Sequence, residues 1–252
     1  MSELAGRTVI ITGATGGLGQ GIVRCFAAVG ANVVIHSLSP EAAADALTAQ
    51  LSAAGTPALA VTGDITDAAA MARVAEAVLA RFGAIDVLVN NAGIQPVQEL
   101  AAMTQPEFDA VVAVNLTGTF TVTQAVLGAM RRAGGGSIIH IASIEASLPA
   151  VGHAHYAAAK AGVKMHARAA ALELGRYGIR VNSVSPGLVD RGDLAETWPA
   201  GRAQWLAAVP LGRTASPEDI GHACVFLASD RASFISGHDL VVDGAMSTRP
   251  AW

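Results

Sequence analysis

Cysteine is nearly absent from this chain of 252 residues: it has two, Cys25 and Cys224. Both lie in apolar, helix-like surroundings (IVRCFAA and GHACVFLA), where a thiol behaves as a small hydrophobe. No disulfide framework is possible with such usage, which agrees with a reducing compartment, most simply the cytoplasm. Charge is scarce too, at 14% of residues, and the 16 basic against 20 acidic side chains leave a formal net charge of −4. Without a basic excess there is nothing to attract a phosphate backbone, so nucleic acid is not an expected partner. The N-terminal stretch MSELAGRTVIITG shows no basic region followed by an apolar one, and no apolar run is read as reaching the roughly 18 residues of a membrane span. A linker rich in proline or glycine is also missing, as is any internal repeat.

What remains is a chain that is 52% hydrophobic, enough at this length to bury the core of one domain covering 1–252. Short β-branched runs alternate with longer amphipathic ones. Strands are expected at 8–12, 32–36, 58–62, 85–90, 136–142, 179–185 and 238–243, and helices at 17–29, 40–54, 67–82, 105–133, 153–176 and 216–228. Thr66-Asp67 offers an N-cap for the third helix. Ser216-Pro217-Glu218-Asp219 offers a cap, a first-turn proline and two acids that suit the helix dipole. Seven strands alternating with six helices predict an α/β fold, a doubly wound parallel sheet with helices on both faces.

Ligands of such sheets sit beyond the carboxyl ends of the strands, near the switch in strand order. After the first strand comes Thr12-Gly13-Ala14-Thr15-Gly16-Gly17-Leu18-Gly19, a glycine-rich turn opening a helix. Glycine lets backbone approach a pyrophosphate closely, and the helix N-terminus favours its charge. Further on, Tyr156 and Lys160 stand four apart in HYAAAK, on one face of a helix and thirteen residues after Ser143. An ammonium beside a phenol favours the phenolate, so the pair predicts a tyrosine whose pKa is lowered from about 10 and which can trade a proton near neutral pH.

The order T-G-x-x-x-G-x-G, N-N-A-G at 90–93, a serine, then Y-x-x-x-K resembles the short-chain dehydrogenase/reductase family in its single-domain branch of about 250 residues. The resemblance covers nearly the whole chain. It implies a Rossmann fold, a nicotinamide dinucleotide and hydride transfer between a carbonyl and a secondary alcohol. By the same resemblance Gly13, Gly17 and Gly19 approach the pyrophosphate, with Thr15 and Leu18 beside them; Asp64, with Ile65, meets the adenine; and Asn90, Asn91, Ala92 and Gly93 steady the sheet and line the cofactor. Asn115, Ser143, Tyr156 and Lys160 form the catalytic tetrad, Tyr156 and Lys160 also touching the cofactor, as do Pro186, Gly187 and Val189. No metal is implied. Relatives that merely sense a dinucleotide generally lose the tyrosine or the lysine; a non-catalytic binding protein is thus the alternative, and a dehydratase or epimerase a third reading.

The form of the cofactor is expected from the second strand's end, His36-Ser37-Leu38-Ser39. An acid that would meet a ribose diol is missing there, and the hydroxyls of Ser37 and Ser39, with His36, favour NADP(H) slightly over NAD(H). Arg191 departs from the family pattern, which commonly places a threonine there against the nicotinamide carboxamide. The stretch 188–213, with Trp198 and Trp205, matches the substrate lid. Gln95, Glu145, His153, Leu188 and Trp198 are the candidate substrate-pocket residues, and His155 is expected to border it. Two histidines at 153 and 155 raise a metal site, but no third ligand is adjacent. The segment NNAGIQPV resembles 3-hydroxybutyrate dehydrogenases, while the overall pattern equally resembles 3-oxoacyl-carrier reductases and polyol dehydrogenases. The family's tetramers predict a homotetramer built on helices 105–133 and 153–176 and on the last strand and helix, with Pro250-Ala251-Trp252 reaching across.

Overall fold

The computed structural model describes residues 3–40 and 42–248, so Pro250-Ala251-Trp252 lie outside the described residues. Strands β1 (Thr8–Ile11), β2 (Asn32–Ser37), β3 (Ala58–Thr62), β4 (Val87–Asn90), β5 (Gly136–Ile141), β6 (Ile179–Pro186) and β7 (Asp239–Val242) form one sheet in the order β3-β2-β1-β4-β5-β6-β7. Every neighbouring pair is parallel. The order reverses between β1 and β4, which opens the ligand crevice there.

The helices are α1 (Gly17–Ala28), α2 (Ala42–Ala53), α3 (Ala68–Phe82), α4 (Gln105–Val112), α5 (Gly118–Ala133), α6 (Ala154–Leu174), α7 (Leu194–Thr197), α8 (Pro199–Ala208) and α9 (Pro217–Ala228). Alternation along each strand feeds two cores. Val9 and Ile11 join Ile22 and Phe26 of α1, Leu47 of α2 and Ile220 of α9 on one face. Ile10 turns the other way, to Val74 of α3, Val126 and Met130 of α5 and Ala167 of α6. Because both faces are covered, all four residues of β1 and of β4 are buried, as their β-branched sequences require.

Two expectations change. The helix at 105–133 is not continuous: a π-helical turn at Ala113–Thr117 separates α4 from α5. Asn115 is the cause, since its side chain donates to the Val111 carbonyl (3.0 Å) and to the Ile94 carbonyl (2.8 Å), competing with the regular i to i−4 bond. Taken together, Gln105–Ala133 is enough by length and composition to cross a membrane, with a best-window mean hydropathy of 1.5, although no uninterrupted apolar run within it approaches the length of a span, as expected from the sequence. Here 44% of that window is buried, and Val122, Val126 and Met130 face the core. Finally, the segment 188–213 contains two helices, α7 and α8.

The caps are largely as read. Asp67 alone caps α3, accepting from the N–H groups of Ala69 (2.8 Å) and Ala70 (3.2 Å), while Thr66 turns back to Asp64. Ser216 and Asp219 form a reciprocal capping box around Pro217. That box starts α9 against α1, where Gly21 touches Pro217 so closely that an added Cβ would lie 2.8 Å from its carbonyl carbon.

Candidate functional site

The glycine-rich turn and the segment after β4 are stitched together across the switch point. Thr12 Oγ1 accepts from the N–H groups of Asn91 (2.9 Å) and Ala92 (3.0 Å), and Asn91 Nδ2 donates to the carbonyls of Thr12 (2.9 Å) and Gly13 (3.1 Å). Gly13 has φ +62°, and a Cβ on it would lie 2.9 Å from Ala92 Cα; one on Gly19 would strike the Gly13 carbonyl. The Gln20 side chain donates to the Thr15 carbonyl (2.8 Å) and braces the turn. No side chain caps α1 and no acid stands in its first turn. Its N–H groups therefore remain for an anion, and the cradle fits a dinucleotide's diphosphate. Leu18 packs on the core beneath, and Ile65 fills the space against Gly118. Asp64, at the end of β3, is exposed; its carboxylate accepts from Thr66 N–H and Oγ1–H, both 2.8 Å, which holds its pKa below the ordinary value.

The end of β2 corrects the phosphate reading. His36 is buried, its Nε2 is 3.0 Å from the Gly63 carbonyl, and burial pushes its pKa down, so it cannot serve as a cation at the surface. Ser37 is also buried and spends its hydroxyl proton on the Ser39 carbonyl (2.7 Å). Only Leu38 and Ser39 of the four are exposed.

The tetrad gathers at the carboxyl ends of β4 and β5. Ser143 caps the turn Ile144–Ala146 by accepting from the Glu145 N–H (3.1 Å), and its hydroxyl is close enough to the Tyr156 phenol to pull that group's pKa down. Lys160 is buried, donates to the Ile141 carbonyl (2.7 Å) and lies 5.5 Å from the Tyr156 ring centre. Burial lowers its pKa to about 8. Asn115 is wholly buried, and its Oδ1 has no partner among the described residues; a Cβ on Gly93 would lie 2.5 Å from it and 3.7 Å from Lys160 Nζ.

The expected depression of Tyr156 is not produced by these groups. Burial is the largest influence and, with the Glu145 charge, outweighs the Ser143 hydrogen bond and the Arg191 charge to push the phenol up to about 12. Lys160 is not among the groups that lower it; its ammonium donates to the Ile141 carbonyl.

Of the substrate-pocket candidates, three converge. Gln95 Nε2 donates to Glu145 Oε1 (2.8 Å), His153 Nδ1 is 2.9 Å from Glu145 Oε2, and the His153 ring meets Tyr156 edge-on at 6.2 Å between centres. Leu188 and Trp198 do not join them. Leu188 lines a cavity of about 230 Å³ with Trp205, Leu211 and Val242, and Trp198 folds onto Gly201 of α8. Trp205 packs on Gly187, which ties the lid to the body: Gly187 N–H donates to the Val242 carbonyl (3.0 Å) just after Pro186 ends β6, and Val189 bridges Ala215. His155 does not border the pocket; it is fully buried and accepts from the Tyr156 N–H (2.9 Å). Among the described residues no three His, Cys, Asp or Glu side chains gather for a metal.

Sequence reasoning missed the Ile141 carbonyl, Thr12 as a stitch, and a buried relay in which Asn90 Nδ2 meets His140 Nδ1 (3.0 Å) and His140 Nε2 meets His166 Nδ1 (3.2 Å). A backbone carbonyl leaves no mark in sequence. Arg191 lies with its side-chain stem on Gly17, 2.7 Å from where a Cβ would be.

Comparison with known proteins agrees with this geometry. The family model described as enoyl-(acyl carrier protein) reductase matches residues 13–247. D-Threitol dehydrogenase of Mycolicibacterium smegmatis is 38% identical over 98% of this chain and 95% of its own. A 3β-hydroxysteroid dehydrogenase of Eggerthella lenta is 37% identical over 99% and 97%. The crystal structure of a gluconate 5-dehydrogenase from Burkholderia cenocepacia, in complex with NADP and tartrate, superposes with a TM-score of 0.92 at 34% identity, covering 98% of both chains. With glycine cradle, serine, tyrosine and lysine assembled on a seven-stranded parallel sheet, the chain belongs to the short-chain dehydrogenase/reductase family and is an oxidoreductase of that family.

Proposed function

We propose that this enzyme interconverts a ketone and a secondary alcohol with a nicotinamide dinucleotide, Tyr156 exchanging the proton. The observation that carries the reading is the half-buried Tyr156 phenol, whose pKa Ser143 pulls down, with the buried Lys160 ammonium 5.5 Å from its ring centre, in a fold that also offers an uncapped helix N-terminus lined by glycine. When bound, the nicotinamide supplies the carbon that gives or takes hydride. Ser143, its oxygen held by the Glu145 N–H, donates to the substrate oxygen. Tyr156 protonates that oxygen in reduction and takes the proton back in oxidation. A phenol pushed up to about 12 is protonated at neutral pH, the form that reduction draws on. Lys160 offers its charge to the phenolate as it forms, and Asn115, whose buried Oδ1 has no partner among the described residues, holds a water between Lys160 and solvent.

NADP(H) is favoured over NAD(H) on two points: the end of β2 carries no acid for a ribose diol, and the exposed Ser39 can receive a 2′-phosphate. Residues 188–213 act as the substrate lid of a single domain. A cytoplasmic setting is supported by two buried free thiols. The assembly is a homotetramer packed through α5 and α6 and through β7 and α9.

Separate titrations with NADH and NADPH, followed by turnover of a ketone and alcohol panel, test the reading. Tyr156→Phe should bind the better nucleotide as the parent does and lose kcat by at least about 10²-fold. Failure of the parent to bind either nucleotide, or full turnover by the variant, would sink it.

A further inference from the structure

Beside the reacting pair stands a second polar constellation that the proton exchange does not use. Glu145 is held at one oxygen by Gln95 Nε2–H (2.8 Å) and at the other by His153 Nδ1 (2.9 Å). With Nδ1–H donating to the carboxylate, the other nitrogen of the ring is committed to nothing: His153 Nε2 is buried and has no partner among the described residues. Leaving a buried nitrogen unpaired is unfavourable, and a ligand that satisfies it relieves that penalty.

The position of the group limits what the ligand can be. Glu145 follows Ser143 by two residues and donates its N–H to the Ser143 oxygen, while the His153 ring meets Tyr156 edge-on. The Glu145–His153–Gln95 wall therefore borders the place where Ser143 and Tyr156 would hold a substrate oxygen, with the His153 and Tyr156 ring centres 6.2 Å apart. Its charge limits the ligand further. With neutral imidazole the wall carries the full negative charge of Glu145; with imidazolium it carries none. In neither state does the wall itself offer an excess positive charge to hold a carboxylate or phosphate, and Arg191, the cation whose charge reaches Tyr156, has its stem on Gly17 at the glycine cradle. A hydroxyl can donate to the bare imidazole nitrogen and accept from Gln95, and it can reverse those roles if the imidazole is protonated.

We propose that Glu145, His153 and Gln95 form a hydroxyl-recognition subsite, and that the substrate is a neutral compound bearing a second hydroxyl on the carbon adjacent to the reacting one. This rests on the oxidoreductase reading. Gln95 and Glu145 orient the imidazole, and His153 makes the deciding hydrogen bond. Sites built to bond a substrate hydroxyl discriminate strongly against the analogue that lacks it, because their own polar group is then left unpaired.

The test compares pairs differing by one hydroxyl, butane-2,3-diol with butan-2-ol and cyclohexane-1,2-diol with cyclohexanol, with sodium 3-hydroxybutyrate as the anionic competitor. The parent enzyme should favour the diol of each pair by at least about tenfold in kcat/KM and prefer both diols to the hydroxy acid. In His153→Phe, which keeps a ring but no nitrogen, and in Glu145→Gln, kcat/KM for the diols should fall at least about tenfold more than for the mono-alcohols. Melting temperature and nucleotide affinity establish that each variant is folded; if one is not, the other decides. Equal losses on both members of a pair, or a parent that favours the mono-alcohol or the hydroxy acid, overturn the subsite and leave the oxidoreductase standing. A parent that oxidises none of the panel and binds no nicotinamide overturns both.

Discussion

At Lys160 stability and chemistry pull in opposite directions. The side chain is buried among α6 and β5, and burial lowers its pKa from 10.5 to about 8. A folded pKa below the unfolded one means that the unfolded chain holds more protons between pH 8 and 10.5, so this group makes stability rise with pH through that window. Below pH 8 the penalty is fully present, about 3 kcal/mol from the two values, partly offset by about 1 kcal/mol from the bond to the Ile141 carbonyl. Lys160→Met should therefore raise the melting temperature at pH 7 by about 4–8 °C while lowering kcat by at least about 10²-fold. A lower melting temperature in calorimetry would contradict this account of the lysine. The lysine's place on one helical face with Tyr156 was legible from their spacing of four. Its hydrogen bond to a carbonyl of β5 was not, since that partner comes from a different strand and carries no side-chain signal.

Among the elements, α1 and α9 show how closely two helices cross when glycine faces glycine. A Cβ on Gly221 would lie 2.6 Å from Cys25 Sγ, and Gly21 meets the backbone of Pro217, which cannot yield. Gly21→Ala should destabilise by about 1–3 kcal/mol in spite of alanine's better helix propensity, seen as a fall of several degrees in melting temperature. Gly175 has right-handed helical angles and open space around its Cα, so Gly175→Ala should be neutral or stabilise by up to about 1 kcal/mol. If both changes gave the same shift, crowding at the crossing would not be what distinguishes them. The cap at Ser216 was readable because its partners lie within four residues, whereas the π turn at Asn115 depends on the Ile94 carbonyl, twenty-one residues away.

On the scale of the whole molecule, apolar side chains remain on the outer faces of α5 and α6: Phe120, Met165 and Leu172, the last 88% exposed. Near β7, Phe234 is fully exposed and Val241 partly so. Two such faces suit an assembly of four copies with two kinds of contact. Light scattering should give the mass of four chains, and the double change Met165→Glu, Leu172→Glu should reduce it to two or fewer. A single-chain mass for the parent enzyme would remove the tetramer.

The sequence by itself determined the alternation of strands and helices, the glycine-rich turn and the capping of α3 and α9, because each is written in neighbouring residues or in a local period; the set Asn115, Ser143, Tyr156 and Lys160 was legible only through the resemblance to a family. Only the tertiary structure decided the protonation balance and the shape of the pocket. Tyr156 is held at about 12 by what buries it, not by the lysine four residues along. His36 and Ser37, polar in sequence and expected at the cofactor, turn inward because β2 lies inside the sheet and its last side chains must find partners there. Gln95, Glu145 and His153, drawn from three separate segments, become one hydrogen-bonded wall only when the loops after β4 and β5 meet the start of α6. Burial and contacts between distant segments are properties of the folded chain as a whole, and a single sequence records them only weakly.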